Sequence, residues 1–130
     1  MHNKGAGKPS FVLAVPSTGE GGLGAGRSSH FGRCDCFTVV EVEDGEIGSV
    51  RVLVNPPHSE QGCLAPVDLL ATNGVTALLV AGIGGRPLAR CRTAGIEVFF
   101  DTGLDKVGEA ADAFRSGAVS PIQAEWACKE

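Results

Sequence analysis

Two predominantly apolar segments joined by a helical pattern constrain the fold of this chain more than any other feature of its sequence. Residues 76–81 and 96–100 are short and mostly apolar, as is typical of strands that are covered on both faces. Between them, residues 82–85 form a glycine-rich turn, Pro87 suits the first turn of a helix, and Gly95 suits its end. This order predicts two parallel strands joined by a crossover helix.

The first half of the chain carries strand patterns. Residues 11–15 form a short apolar run, and residues 36–42 and 47–54 are β-branched runs. The two β-branched runs are joined by a turn that contains Asp44-Gly45, which is a strong hairpin signal. We therefore predict that the second and third strands pair antiparallel.

Two further helices are predicted from apolar residues that recur at spacings of three and four. The apolar positions of the earlier helix are Leu64, Val67, Leu70 and Ala71. Those of the later helix are Leu104, Val107, Ala111 and Phe114. Asn73-Gly74 closes the earlier helix. For the later helix the sequence predicts Thr102 as N-cap and Gly117 as the stop.

The resulting order β-β-β-α-β-α-β-α predicts a three-layer α/β domain. Right-handed crossovers most simply give a mixed five-stranded sheet of order 3-2-1-4-5, in which only strand 2 is antiparallel. A chain of 130 residues has the size of one domain. We assign residues 10–117 to that domain, 1–9 to a flexible N-terminus, and 118–130 to a C-terminal tail without clear periodicity.

This topology brings distant segments to one rim of the sheet. Strands one, three, four and five end at the same edge, and the antiparallel second strand begins there. The loops at residues 16–31 and 55–63, the strand start at 33–36 and the turn at 82–86 are therefore expected to converge. They lie beside the point where chain order reverses between strands one and four, a common position for ligand sites.

A dense cluster of ligand-type residues lies at this predicted rim. Residues 28–37 read Ser-Ser-His-Phe-Gly-Arg-Cys-Asp-Cys-Phe and follow a glycine-rich loop. The imidazole of His30 and the thiols of Cys34 and Cys36 suit transition metals and metal–sulfur species, while Arg27 and Arg33 offset negative charge. An interpretation without a ligand site also remains open, in which His30 is solvated and the two cysteines are buried small hydrophobes.

A second anion-binding feature is predicted at the start of the helix that contains Pro87. Gly82, Gly84 and Gly85 would expose backbone N–H groups there, and Arg86 favours an anion over a merely tight turn.

The remaining thiols and imidazoles divide between rim and core. Cys63 immediately precedes a helix, where the dipole favours thiolate, so it is a candidate ligand, although it could equally pack beneath the loop. His58 would be a second rim imidazole, although such a loop residue is often only exposed. Cys91 is predicted to lie in the core, and Cys128 in the tail to be incidental.

Composition excludes several classes of protein. A formal charge of −4, no tyrosine and a single tryptophan argue against a nucleic-acid partner. Five cysteines are too few and odd in number for a disulfide scaffold, so reduced thiols are expected. Residues 1–9 hold no apolar run and no segment approaches about 18 apolar residues, so we expect neither signal peptide nor membrane span, and a cytoplasmic protein.

The chain resembles the dinitrogenase iron-molybdenum cofactor biosynthesis family, whose single-domain carriers are related to NifX and to the C-terminal part of NifB. The resemblance rests on the Ser-x-His-Phe-Gly pattern at residues 28–32, on Phe37 opening the next strand, and on Gly82-Ile83-Gly84 before a helix that ends at Gly95. The matching elements span about residues 10–117.

This resemblance implies a ribonuclease H-like fold and non-covalent binding of an iron–sulfur or molybdenum–sulfur cluster, with His30 as a contact. It extends to an orange-protein branch that holds a mixed molybdenum–copper sulfide. Cys34 and Cys36 are not part of the family pattern. The resemblance thus implies a metal–sulfur cluster of molybdenum with iron or copper as cofactor, and a cofactor-accepting protein as further partner.

The predicted function is carriage or storage of an anionic metal–sulfur cluster, without turnover. His30, Cys34 and Cys63 are the candidate metal ligands, Cys36 is a further contact, and the arginines compensate charge. Two alternatives remain: a thiol-dependent enzyme that uses Cys34 or Cys63 with His30 as base on a small anionic substrate, and a regulatory partner-binding module. Classical zinc sites are disfavoured because the chain has no Cys-x-x-Cys pair.

Overall fold

The structure is a computed structural model and describes residues 10–55 and 64–123. Within these residues it contains six strands and three helices. In chain order these are β1 (Phe11–Ser17), β2 (Cys36–Glu43), β3 (Glu46–Val54), α1 (Leu64–Thr72), β4 (Ala77–Val80), α2 (Gly85–Thr93), β5 (Glu97–Phe100), α3 (Val107–Arg115) and β6 (Ser120–Pro121).

One mixed sheet of order β3-β2-β1-β4-β5-β6 organises the domain. β1, β4 and β5 are mutually parallel, and β2 pairs antiparallel with both β1 and β3. The predicted order of the first five strands and the single antiparallel strand among them are therefore confirmed.

The prediction of only five strands was wrong, because Ser120–Pro121 adds β6 antiparallel to β5. Ile122 is buried and donates its backbone N–H to the carbonyl of Val98. This pairing joins part of the segment beyond residue 117 to the sheet. A strand of two residues is too short to produce a periodic pattern in the sequence.

The sheet separates two apolar cores and so gives the predicted three layers. One core contains Val67 and Leu70 of α1 together with Leu88 and Cys91 of α2. The other contains the buried face of α3, which includes Val107 and Phe114. Because β1 and β4 are covered on both faces, their apolar runs show no alternation.

The start of α3 differs from the prediction, since its N-cap is Lys106 and not Thr102. The carboxylate of Asp101 accepts hydrogen bonds from the N–H groups of Gly103 and Leu104, which closes a separate turn before the helix. Glu109 then accepts a hydrogen bond from the backbone N–H of Lys106 at 3.3 Å. Across the described part of the chain, no helix has both the length and the apolarity needed to cross a membrane.

Candidate functional site

Strand register places the predicted rim at one edge of the sheet. Ser17 pairs with Cys36, which in turn pairs with Val54, and Val80 pairs with Phe100. The loop after β1, the start of β2, the end of β3 and the turn after β4 therefore meet at this edge, as predicted. We call it the rim. Of the predicted loop at residues 55–63, the structure describes Asn55.

His30 is exposed at the rim on a loop whose backbone is fixed locally. The Ser28 hydroxyl accepts a hydrogen bond from the His30 N–H and donates one to the His30 carbonyl, both at 3.2 Å. The next residue, Phe31, is buried, and its ring lies 5.5 Å from that of Phe37. The buried Phe31 anchors the loop, while the imidazole of His30 is left accessible for a ligand.

Cys34, a predicted rim ligand, is buried in the core beside α1 and α2, and its role as a ligand stays a prediction. Its Sγ lies 3.4 Å from the Phe31 carbonyl, to which the thiol donates. Burial raises the pKa of the Cys34 thiol to about 12. In the free protein at neutral pH the side chain is thus a neutral thiol.

Cys36 is also buried, on the other face of the sheet, and its role as a cluster contact stays a prediction. Its Sγ lies 3.5 Å from the Gly19 carbonyl, and burial raises the pKa of the thiol. Gly21 covers it: a Cβ there would lie 2.9 Å from the Cys36 Sγ, and the φ of +78° at Gly21 suits glycine. The glycine-rich loop thus closes over this thiol.

Asn55 connects the end of β3 to the His30 loop, a role that was not predicted from the sequence. Its Nδ2 donates to the carbonyl oxygens of Gly32 and Cys34, at 3.2 and 2.8 Å, and its backbone N–H donates to Asp35. A polar amide directly after the last apolar residue of an edge strand was the available signal.

Arg27, predicted to compensate the charge of a bound anion, forms an internal ion pair with Asp101. Its side chain is 3% exposed, and Nη1 lies 3.3 Å from Asp101 Oδ2. The guanidinium also donates to the backbone carbonyls of Leu104 and Asp101. Burial lowers the pKa of Arg27, an effect opposed by Asp101. Its charge is thus already used within the fold.

The glycine-rich loop also covers the N-terminus of α3. The carbonyls of Leu23 and Ala25 accept hydrogen bonds from the N–H groups of Gly108 and Val107, at 2.8 and 2.9 Å. These N–H groups are among those that would otherwise point to an anion at a helix start. The chain itself satisfies them, so this helix start is closed to a ligand.

At the start of α2, no carbonyl of the described residues accepts a hydrogen bond from the first N–H groups. Gly84 is its N-cap and makes no side-chain capping bond, and a Cβ at Gly85 would meet open space. Arg86 is exposed, as is Arg33 near the other side of the rim. Gly82 lies in the preceding turn, and Ile83 is buried in the same core as Phe31. A shared core therefore anchors the turn before α2 and the His30 loop.

Three predicted residues, His58, Cys63 and Cys128, lie outside the described residues. Cys91 is fully buried, which confirms its prediction as core, and burial raises the pKa of its thiol to about 12. Among residues 10–55 and 64–123, no group of three His, Cys, Asp or Glu side chains could hold a metal ion. The described rim therefore has accessible donors and positive charge but no closed metal-ligand set.

A groove of about 290 Å³ lies at the opposite end of the sheet from the rim, where α3 ends. Phe11 pairs with Val42 there, six residues along the register from the pair Ser17 and Cys36. The ring of Phe114 packs edge-on against Phe11 and Phe99, at centroid distances of 5.0 and 5.1 Å. No pattern in the sequence predicted this groove.

The buried thiols give the fold a defined dependence on alkaline pH. In the unfolded chain Cys34 and Cys91 ionise near their ordinary pKa of 9.0, whereas in the folded protein both pKa values are about 12. The folded state therefore holds more protons between these values. The stability that these two thiols contribute is fully present below pH 9 and is lost as the pH rises towards 12.

We expect Cys91→Ala to flatten this pH dependence by about 1 kcal/mol per pH unit, since one titrating thiol contributes up to about that slope. Urea unfolding at several pH values between 8.5 and 10.5 measures the slope for wild type and variant. Equal slopes would show that the Cys91 thiol ionises alike in both states.

Comparison with known proteins gives one family match. The family model described as dinitrogenase iron-molybdenum cofactor matches residues 12–117. A relative, an uncharacterized protein of Methanocaldococcus jannaschii, is 34% identical over 98 residues, which cover 74% of this chain and 82% of that protein.

Solved structures share the fold. The orange protein of Desulfovibrio gigas in its apo form is 25% identical with a TM-score of 0.69, over 87% of this chain and 97% of its own. A Thermotoga protein, provisionally named NifB and assigned to the DUF35 family, is 28% identical with a TM-score of 0.71, over 85% and 92%. A Methanocaldococcus jannaschii structure, provisionally named dinitrogenase, is 20% identical with a TM-score of 0.71, over 89% and 98%.

Proposed function

The chain belongs to the dinitrogenase iron-molybdenum cofactor family, and from this premise we propose that it carries or stores an anionic metal–sulfur cluster on the rim. The proposed cargo is a cluster of molybdenum with iron or copper. We place its action in the cytoplasm, where free cysteines such as Cys34, Cys36 and Cys91 stay reduced.

The observation that carries the proposal is the presentation of His30. Its imidazole is exposed, its backbone is held by Ser28, and the adjacent Phe31 is buried in the core that also anchors the turn before α2. A sulfide cluster brings most of its own ligands, so a carrier has to supply only few soft donors and hydrogen-bond donors. The rim supplies an imidazole, the first N–H groups of α2 and two exposed arginines.

The donor set fits a cluster held largely without coordination. Cys34 and Cys36 are buried neutral thiols, so the described ligands reduce to His30, and Cys63 remains a predicted ligand. Arg33 and Arg86 are the remaining candidates for charge compensation, since Arg27 is paired with Asp101. Weak attachment of this kind suits a carrier that must release its cargo to an accepting protein.

The same burial disfavours a thiol-dependent enzyme built on Cys34. A nucleophilic thiol needs a lowered pKa and access to the substrate. Cys34 has a raised pKa and 5% exposure. A regulatory module would bind no sulfide anion, so the titration below separates it from a carrier.

Tetrathiomolybdate, added anaerobically with and without copper(I), is the probe that tests the proposal. We expect binding that weakens as salt rises, because exposed charges are screened over roughly 8 Å at physiological ionic strength. Arg33→Gln and Arg86→Gln should each weaken binding about threefold to tenfold at low salt and reduce the salt dependence. Melting temperatures of the free proteins should stay nearly unchanged.

Arg92→Gln is the matched control. Arg92 is an exposed arginine near the end of the same helix as Arg86, where its Nη2 contacts the Ile122 carbonyl at 3.3 Å. It should bind the probe as the wild type does. Identical titrations for all four proteins would contradict a role of Arg33 and Arg86 at the site, and no binding by wild type would contradict the proposed function.

A further inference from the structure

The exposed apolar side chains of this domain are concentrated on one edge strand. Four large apolar side chains are markedly exposed among the described residues, and three of them lie in β3: Val50 and Val52 at 38% and Val54 at 77%. Since they alternate along the strand, they share one face of the sheet. That face is the α3 side, because Val50 pairs with Val40, which lies in the core beside α3.

The same three residues present their backbone groups outwards. β3 is the outermost strand, and within the described residues it pairs only with β2. Asn55 donates its N–H to the carbonyl of Asp35 directly opposite, which fixes the odd-numbered residues as the ones bonded to β2. In an antiparallel ladder the bonding direction alternates, so the N–H and C=O groups of Val50, Val52 and Val54 point away from the sheet.

Nothing in the regular part of this strand protects the edge. The register shift opposite Val40–Val42 places one extra residue in β3 between Ile47 and Val50, so this bulge lies only in the first half of the strand. Such bulges are a common way to blunt an edge. Arg51 is the one charged residue in the second half. Its guanidinium donates to the Asn73 carbonyl at the end of α1, which draws it to the opposite face from the valines.

From this edge we propose that two copies of the chain associate by antiparallel pairing of their β3 strands about a two-fold axis at Val52. In that register Val52 meets Val52 of the partner subunit, and Val50 meets Val54 of the partner subunit. Arg51 lies opposite an apolar residue, Leu53, so no like charges meet. The strand is thus complementary to itself, which is why a second copy is the occupant that fits.

The small area of one added strand predicts a reversible, concentration-dependent dimer. Amide hydrogen exchange of the full chain, read residue by residue across about a hundredfold range of protein concentration, tests it. At a total chain concentration of about fifty times Kd, about a tenth of the chains remain monomeric, so exchange at Val50, Val52 and Val54 should slow about tenfold because only the free monomer exchanges. Exchange at Leu53, already bonded to β2, should not change.

Two variants test the edge by sedimentation equilibrium. Val52→Pro removes an outward N–H, which an edge strand tolerates, and should give a folded monomer. If the proline variant fails to fold, Val52→Lys tests the same edge, because two lysines would meet at the two-fold axis and their repulsion should keep the protein monomeric. Leu23→Ser removes the fourth exposed apolar side chain, outside β3, and should still dimerise. A wild type that stays monomeric, a dimer that persists in Val52→Lys, or protection spread evenly over β3 would overturn the proposal.

Discussion

Replacing Arg27 by methionine is expected to lower the free energy of unfolding by about 3 kcal/mol, the low end of what removal of one partner from a buried ion pair costs. Methionine preserves bulk but donates no hydrogen bond. The carbonyls of Leu104 and Asp101 would each lose a donor inside the fold. Asp101 would keep its bonds from Gly103 and Leu104, which is why the low end applies.

Urea unfolding of Arg27→Met against wild type measures this loss, and the melting temperature should fall by about 10 °C for a domain of this size. Arg90→Met is the matched control, since Arg90 pairs with Asp68 but the side chains are 46% and 56% exposed. Such a pair contributes about 0.5 kcal/mol. Equal losses in the two variants would contradict a structural role for the buried pair.

His30→Ala is expected to retain less than about a tenth of the cluster bound by wild type while folding normally. A tenfold loss corresponds to about 1.4 kcal/mol of binding free energy, as expected for one lost ligand or charge-assisted hydrogen bond. The exposed imidazole contributes no packing, so the free energy of unfolding should change by less than about 0.5 kcal/mol.

Molybdenum, iron, copper and sulfide content after anaerobic purification from the native host, together with the visible spectrum, measure cluster retention. Ser29→Ala is the control, because Ser29 is an exposed neighbour on the same loop. Equal metal content in His30→Ala and wild type would remove His30 from the site. A loss in Ser29→Ala as large as in His30→Ala would point to the loop backbone instead of the imidazole.

The two variants separate stability from binding at two nearby positions of one loop. Arg27 and His30 are three residues apart, yet the first is buried against Asp101 and the second faces solvent. Arg27→Met should change stability first, and His30→Ala should change cluster binding alone. Two neighbouring polar residues of the loop are therefore expected to have different roles, Arg27 in stability and His30 in cluster binding.

Sequence periodicity determined the layers and the strand order of this protein. Apolar runs without alternation mark strands covered on both faces, and glycine, proline and Asp-Gly signals mark the turns between elements. Handedness of crossovers then leaves one simple order for five strands. β6 was missed because two residues that pair through their backbone carry no side-chain pattern.

The position of the rim also followed from the sequence, since parallel strands must end at the same edge. His30 and Arg86 were correctly placed on exposed segments of it. Which of the neighbouring ligand-type residues face solvent did not follow. Cys34 and Cys36 lie near His30 in sequence, but Cys34 is buried in the core beside α1 and α2, and the thiol of Cys36 lies beneath the glycine-rich loop.

Only the tertiary structure determined which of these side chains are buried, because burial depends on contacts between distant segments. Arg27 is buried because Asp101, 74 residues away, and the carbonyl of Leu104 receive it. The glycine-rich loop is held in place because its carbonyls accept hydrogen bonds from the first N–H groups of α3, which have no partner within the helix. A sequence shows which side chains can bind a metal or an anion; the packing around them determines which remain exposed and charged to do so.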